Sequence, residues 1–191
     1  MDISKLRKEM GEVQKNSRLE HTIGVAYTAA SLAMRHGADV EKALIAGYLH
    51  DCAKHLSGDD LIKICKKNGI PVSDTELQNP SALLHGKVGA FFAREKYEVE
   101  DEEIISAIRF HTTGHPDMTD LEKIIFLADY MEPGRDKAPN LPLIRKLVFE
   151  ELNKGLIQVL KDTLEHLQSS DKPVDDLTQQ TYDFYVNKRS R

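Results

Sequence analysis

The sequence contains no tryptophan, and aromatic residues make up only 6% of the chain. A buried core must therefore rest mainly on leucine, isoleucine, valine and alanine. Cysteine is nearly as scarce. Cys52 and Cys65 form no C-x-x-C pair, and two thiols make no disulfide framework. Both fall in helix-like stretches and read as buried free thiols, which suits a reducing compartment. No run approaches the roughly 18 apolar residues needed to span a bilayer. The opening Met1-Asp2-Ile3-Ser4-Lys5 is charged and lacks the apolar stretch of a secretion signal. These absences together predict a cytoplasmic protein with no membrane contact. Positive charge is not in excess either: the formal net charge is -5. That argues against duplex nucleic acid as a partner, because duplex binders usually carry a basic surface. Internal repeats, low-complexity blocks and convincing strand patterns are also missing.

What the sequence does contain is helical periodicity in an ordinary globular balance, with 40% apolar and 30% charged residues in 191. Leu19, Thr22, Ile23, Ala26, Ala30 and Ala33 recur at spacings of three and four, giving a face of small residues suited to close helix packing. Gly37 reads as its C-cap and Asp39 as the next N-cap, opening a helix from about Val40 to His50. Ser57 opens a short helix that Asn68-Gly69-Ile70-Pro71 ends. Residues 71–80 read as a loop with a brief capped turn at Ser73 to Glu76. Helices follow over Ser81 to Tyr97, Glu102 to Phe110 behind Asp101, and Leu121 to Tyr130 behind a Thr119/Glu122 capping box. A long helix is expected from about Leu141 to Leu167. The tail from Ser169 to Arg191 reads as a docked terminal helix or a frayed end. The fold class is thus all-α, in one domain over residues 1–191.

Chemistry concentrates at the edges of these helices. His21 lies near the start of one, His50-Asp51 ends the next, His85 starts another and His111 ends the one after it. Asp129 sits in the apolar stretch Ile124-Ile125-Phe126-Leu127-Ala128-Asp129, where a carboxylate needs a partner. A metal ion is one such partner, and a structural arginine or lysine is another. An imidazole beside a carboxylate suits a borderline transition metal. His36 and His166 read as helix-surface residues, and His115 as either loop structure or a pocket group.

The order of these residues resembles the HD superfamily, whose pattern is a first-helix histidine, a His-Asp doublet and a distant aspartate. The segments Ser17-Arg18-Leu19-Glu20-His21, Leu49-His50-Asp51-Cys52-Ala53-Lys54 and Leu83-Leu84-His85-Gly86 resemble its YqeK family more closely. So do Ala107 to Gly114, with Arg109, His111, Thr112 and Thr113, and Leu121 to Arg135, ending Tyr130-Met131-Glu132-Pro133-Gly134-Arg135. The resemblance spans residues 17–135 and implies a single HD-domain helical bundle, with C-terminal helices over about 141–191. It implies that His21, His50, Asp51 and Asp129 bind the metal and that the metal is iron, with manganese or another divalent ion as the alternative. The implied activity is symmetrical hydrolysis of diadenosine tetraphosphate to two ADP, with a nucleotide as the small-molecule partner.

In that reading a metal-bound hydroxide attacks phosphorus in line with the leaving phosphate. Asp51 and Lys54 are the candidate catalytic residues, Asp51 orienting or deprotonating the water. Arg18, Lys54, His85, His111, Thr112 and Arg135 are the candidate substrate-binding residues, because an arginine fork suits phosphate oxygens. His85 and His111 are equally placed to take a second metal with Asp51 as bridge. Arg18 is expected against the ligand or a metal-binding carboxylate. Two alternatives stay open: another nucleotide phosphohydrolase, such as a nucleotidase or guanosine-tetraphosphate hydrolase, or a nucleotide sensor without turnover. An apolar face on the Leu141 to Leu167 helix leaves a homodimer possible.

Overall fold

A computed structural model describes residues 1–170 and 174–189. Eleven helices and no strand occur among these residues. α1 (Ile3–Val13) precedes α2 (Asn16–His36), α3 (Val40–Leu49), α4 (Gly58–Lys67), α5 (Asp74–Gln78) and α6 (Pro80–Glu95). α7 (Glu102–Phe110), α8 (Asp120–Met131), α9 (Leu141–Glu150), α10 (Leu152–Ser169) and α11 (Asp176–Arg189) follow.

The cap residues do what their chemistry dictates. Asp39, Ser57 and Asp101 each accept a backbone N–H from the first turn of their helix. Ser73 with Glu76 and Thr119 with Glu122 form complete capping boxes on α5 and α8. The core is aliphatic. α2 buries Val25, Ala26, Ala29, Leu32 and Ala33 against α3 and α8. α8 is enclosed along Ile124, Ile125, Phe126, Leu127 and Ala128, and each large side chain so buried contributes about 1.5–3 kcal/mol. A smaller cluster of Ala53, Leu61, Cys65, Leu84 and Val88 joins α4 to α6. Cys52 and Cys65 are both free and buried.

Two elements differ from the sequence reading, and a third resolves an alternative that it left open. The charged N-terminal segment forms α1, which buries Leu6 and Met10. The single long helix expected over Leu141 to Leu167 is two helices. Glu151 takes extended dihedrals (φ -156°, ψ 118°) between α9 and α10. The break lets α10 turn back against α9, and Leu141, Ile144 and Val148 on α9 and Leu152, Leu156 and Val159 on α10 all reach the same core. The tail is a docked helix: Thr181 and Tyr185 of α11 are buried. Residues 171–173 and 190–191, also covered by that expectation, lie outside the described residues. His36 is not a free surface group, because its Nε2 lies 2.7 Å from the Val148 carbonyl and ties α2 to α9.

A close approach of α3 to α2 sets the position of the site. A Cβ on Gly47 of α3 would lie 2.6 Å from the Ala26 Cα of α2. Only glycine permits this spacing, and it brings the end of α3, with His50, against the start of α2, with His21. Gly47→Ala is expected to lower stability by about 1–3 kcal/mol through overpacking. Denaturant unfolding checks this, and an unchanged midpoint would show that the two helices separate freely.

Candidate functional site

His50 and His111 occupy equivalent places, each capping a helix C-terminus. The last carbonyls of a helix have no partner within it. Each imidazole satisfies one: His50 Nδ1 meets Gly47 O and His111 Nδ1 meets Ile108 O, both at 2.7 Å. Nδ1 must then carry the proton, which leaves Nε2 bare and turned inward. His21, on the first turns of α2, reaches the same point differently. Its Nδ1 lies 3.1 Å from Glu132 Oε1, and its Nε2 faces Asp129 Oδ1 at 3.1 Å.

Asp51 and Asp129 complete the cluster. His50 Nε2 stands 3.6 Å from Asp51 Oδ2 and 4.0 Å from Asp129 Oδ1. It is fully buried and has no hydrogen-bond partner, a state costing about 1–3 kcal/mol. The donor atoms of His21, His50 and Asp129 lie within 4.8 Å of one another, as do those of His50, Asp51 and His111. Bare imidazole nitrogens and carboxylate oxygens converging on an orphaned lone pair fit a borderline divalent metal.

The electrostatics suit that ligand set. Burial pushes the His50 imidazole down to about 4, leaving it neutral at physiological pH. Burial pushes Asp51 up, but His50, His111 and His85 outweigh it and hold the carboxyl well below its usual range. Asp129 is likewise held low, with the hydrogen bond from His21, and in acid the protonated His50, overcoming burial. Two arginines clamp these carboxylates. Arg18 Nη1 meets Asp51 Oδ2 at 2.8 Å, and Arg135 Nη2 meets Asp129 Oδ1 at 2.6 Å.

A second chain of contacts runs beside the first. Lys54 Nζ lies 3.2 Å from His85 Nδ1, and His85 Nε2 lies 3.0 Å from His111 Nε2. With His111 Nδ1 donating to Ile108 O, the consistent assignment is lysine to His85 Nδ1 and His85 Nε2–H to His111 Nε2. Burial lowers Lys54, and burial, His111 and Lys54 lower His85. Burial also works against a charged His111, but the Asp51 carboxylate 3.7 Å away raises it overall. Thr112 Oγ1 lies 3.4 Å and 3.3 Å from the two Nε2 atoms. A cavity of about 210 Å³ opens on Arg18, Asp51, Lys54, His85, Thr112, Asp129 and Arg135.

The HD domain model matches residues 18–134, which contain the whole cluster. The chain belongs to the HD-domain family. A Bacillus subtilis protein named symmetrical bis(5'-nucleosyl)-tetraphosphatase is 42% identical over 89% of this chain and 90% of its own length. One of the same name from Staphylococcus aureus is 35% identical over 97% of this chain and 95% of its own. A crystal structure from Clostridium acetobutylicum, described as a predicted HD superfamily hydrolase involved in NAD metabolism, superposes with a TM-score of 0.94. It is 36% identical and covers 98% of both chains. The all-α HD fold inferred from the sequence is therefore correct.

Every site residue named from the sequence lies in or beside this cluster. The HD domain also uses residues that the sequence reading passed over. Glu132, buried at the end of α8, fixes the His21 ring. Gln14 holds the Asp51 carbonyl at 3.3 Å while accepting from Thr22. Arg145 binds the carbonyls of Met131, Glu132 and Arg135 at 2.9–3.0 Å and so shapes the loop that carries Arg135. Glu132 stood inside a quoted motif, but its partner lies 111 positions earlier. His115 proves to be loop structure, paired with Glu122 at 2.9 Å.

Glu132→Ala should leave the fold intact and weaken metal retention about 10–100-fold, the usual effect of removing a carboxylate behind a ligating histidine. Metal content after dialysis against graded chelator measures this, and unchanged retention would remove Glu132 from a supporting role. The metal-free HD domain should also lose stability in acid. His50 moves from 6.5 to about 4 on folding, so the folded state binds fewer protons between those values. The contribution of neutral His50 is complete above pH 6.5 and declines as pH falls towards 4. Chelator-treated protein should therefore show a lower denaturant midpoint at about pH 5 than above pH 6.5, and a flat profile would contradict this.

Proposed function

We propose that this HD domain hydrolyses diadenosine tetraphosphate symmetrically, releasing two ADP, with His21, His50, Asp51 and Asp129 holding iron or, failing that, manganese or another divalent ion. The observation that carries the reading is the unpartnered His50 Nε2 inside a His/Asp cluster that faces a cation-lined, phosphate-sized cavity. The names and near full-length coverage of the relatives support the substrate. Two free, buried thiols support a reducing, cytoplasmic setting.

When bound, the metal would acidify a coordinated water and withdraw charge from the phosphate under attack. Arg18 and Arg135 would receive the polyphosphate. Their side chains are 38% and 40% exposed on the rim while their carboxylate partners are deeper. Lys54 would neutralise charge on the leaving phosphate, and His85, His111 and Thr112 beside it would offer polar contacts, the kind of preorganised stabilisation on which phosphoryl transfer depends. Asp51 Oδ1 faces His85 and His111 Nε2 at 3.4 Å and 3.7 Å. Its depressed pKa suits orienting the attacking water better than keeping the proton taken from it.

Product analysis tests the reading. Iron-loaded protein incubated anaerobically with diadenosine tetraphosphate should give ADP alone. ATP with AMP would overturn symmetrical cleavage, and no turnover with any metal would overturn the activity in favour of another nucleotide substrate or a sensor. Asp51→Asn should reduce kcat/KM by about 10²–10⁴. Lys54→Ala should keep its metal and lose kcat, and wild-type kinetics in that variant would take Lys54 out of the site.

A further inference from the structure

α1 lies outside the stretch matched by the HD domain model, which begins at residue 18. It is nonetheless built to reach the His/Asp cluster. Leu6, Met10 and Gln14 recur every four residues and so share one face of the helix. Leu6 and Met10 seat that face in the apolar core, where α1 packs on α3 and α2. Gln14 ends the helix, its N–H donating to the Met10 carbonyl at 2.9 Å, and only Lys15 separates it from α2. Its side chain is delivered into the interior, where the residue is 7% exposed.

We propose that Gln14 is a positioning residue for the metal centre, its one amide setting the spacing between the ligands His21 and Asp51. This deepens the proposed function and rests on its assignment of those two residues to the metal. The amide can be oriented in only one way. A carbonyl accepts and never donates, so the Gln14 NH2 group faces the Asp51 carbonyl, at 3.3 Å. Oε1 is left to accept from the Thr22 hydroxyl, at 2.9 Å. Thr22 directly follows His21 on α2 and is fully buried. One directed chain of hydrogen bonds therefore runs from the neighbour of the first ligand to the backbone of the third.

Both ends of the chain need it. Asp51 lies just past the C-cap of α3, and its carbonyl also accepts from the Lys54 N–H at 3.0 Å. Gln14 engages the second lone pair of that oxygen. The enclosed Thr22 hydroxyl requires an acceptor; without Gln14 its fallback is the carbonyl one turn earlier in α2, and that contact bends helices, here beside His21. Glu132 acts on the His21 ring and Arg18 on the Asp51 carboxylate. Gln14 acts on the backbone frame that carries the two ligands.

Metal retention tests this without any substrate. Gln14→Met and Thr22→Val roughly keep the volume and remove a bond of the chain. Each should weaken retention of iron(II), loaded anaerobically and dialysed against graded chelator, by about three- to tenfold, the worth of one buried hydrogen bond. Thr22→Ser keeps the hydroxyl and should hold iron like the unmodified protein. The double variant of Gln14→Met and Thr22→Val should bind no more weakly than Gln14→Met, because partners in one network are not additive. Val159→Ala, in the core on α10, lowers stability without touching the chain and should leave retention in the folded protein unchanged. Unchanged retention in folded Gln14→Met, an additive double variant, or an equal loss in Val159→Ala would overturn the inference alone. Should Gln14→Met not fold, Thr22→Val against Thr22→Ser decides the same question, equal retention in the two overturning the inference. Unmodified protein that holds no iron or other divalent ion would overturn the metal site and this inference together.

Discussion

The structure is organised around a problem of burial. Three histidines and two aspartates converge within about 4 Å contacts at the meeting of apolar helices. Removing carboxylates from water is costly unless opposite charge and hydrogen bonds replace the lost hydration. Arg18 and Arg135 supply that charge, one for each aspartate. Within the cluster, only His50 Nε2 is left without a hydrogen-bond partner. A cation at the cluster would satisfy His50 and compensate both carboxylates at once. The guanidiniums would then be freer to face an anionic ligand in the adjoining cavity. In the proposed reading, metal and phosphate would both act on the same two arginine–carboxylate pairs, which would couple the two sites electrostatically.

Helix ends solve the accompanying problem of tautomers. A metal-binding histidine almost always donates its other ring N–H to a partner that fixes its tautomer and orientation. His50 and His111 each use an orphan carbonyl of their own helix terminus, an acceptor that every helix leaves available. The backbone thus fixes the proton at Nδ1 with no further residue. His21 sits at the beginning of a helix, where carbonyls are already engaged, and it needs Glu132 from α8 to do the same task. The different location explains the different device.

These local rules were legible in the sequence, whereas the long-range pairings were not. Capping residues marked the starts of α3, α4, α7 and α8 because a cap is a contact within four residues. The chemically distinctive residues stood at helix edges, and the spacing of apolar residues was enough to place them there. Glu132, Gln14 and Arg145 were missed because each acts on a group that only helix packing brings near. The break at Glu151 was missed for a related reason. No glycine or proline occupies the junction, and the apolar period continues across it. The chain turns there so that α10 packs back on α9, where Gly155, one turn into α10, leaves room for Val148. α1 was hidden by its charge, since Leu6 and Met10 supply its only fully buried contacts.

Tertiary coupling also links the least distinctive part of the sequence to the most distinctive. α11 carries none of the metal-binding pattern, and its polar start looks like a tail. Yet Thr181 and Tyr185 are buried against the turn that follows His111. Gly114 leaves the space for that contact, and the same turn aims Thr112 at His85 and His111. Displacing α11 would remove a wall of the cavity beyond Thr112 while leaving His21, His50, Asp51 and Asp129 in place. The HD core therefore carries the His/Asp cluster, and the helix beyond it braces the turn that presents Thr112 to that cluster.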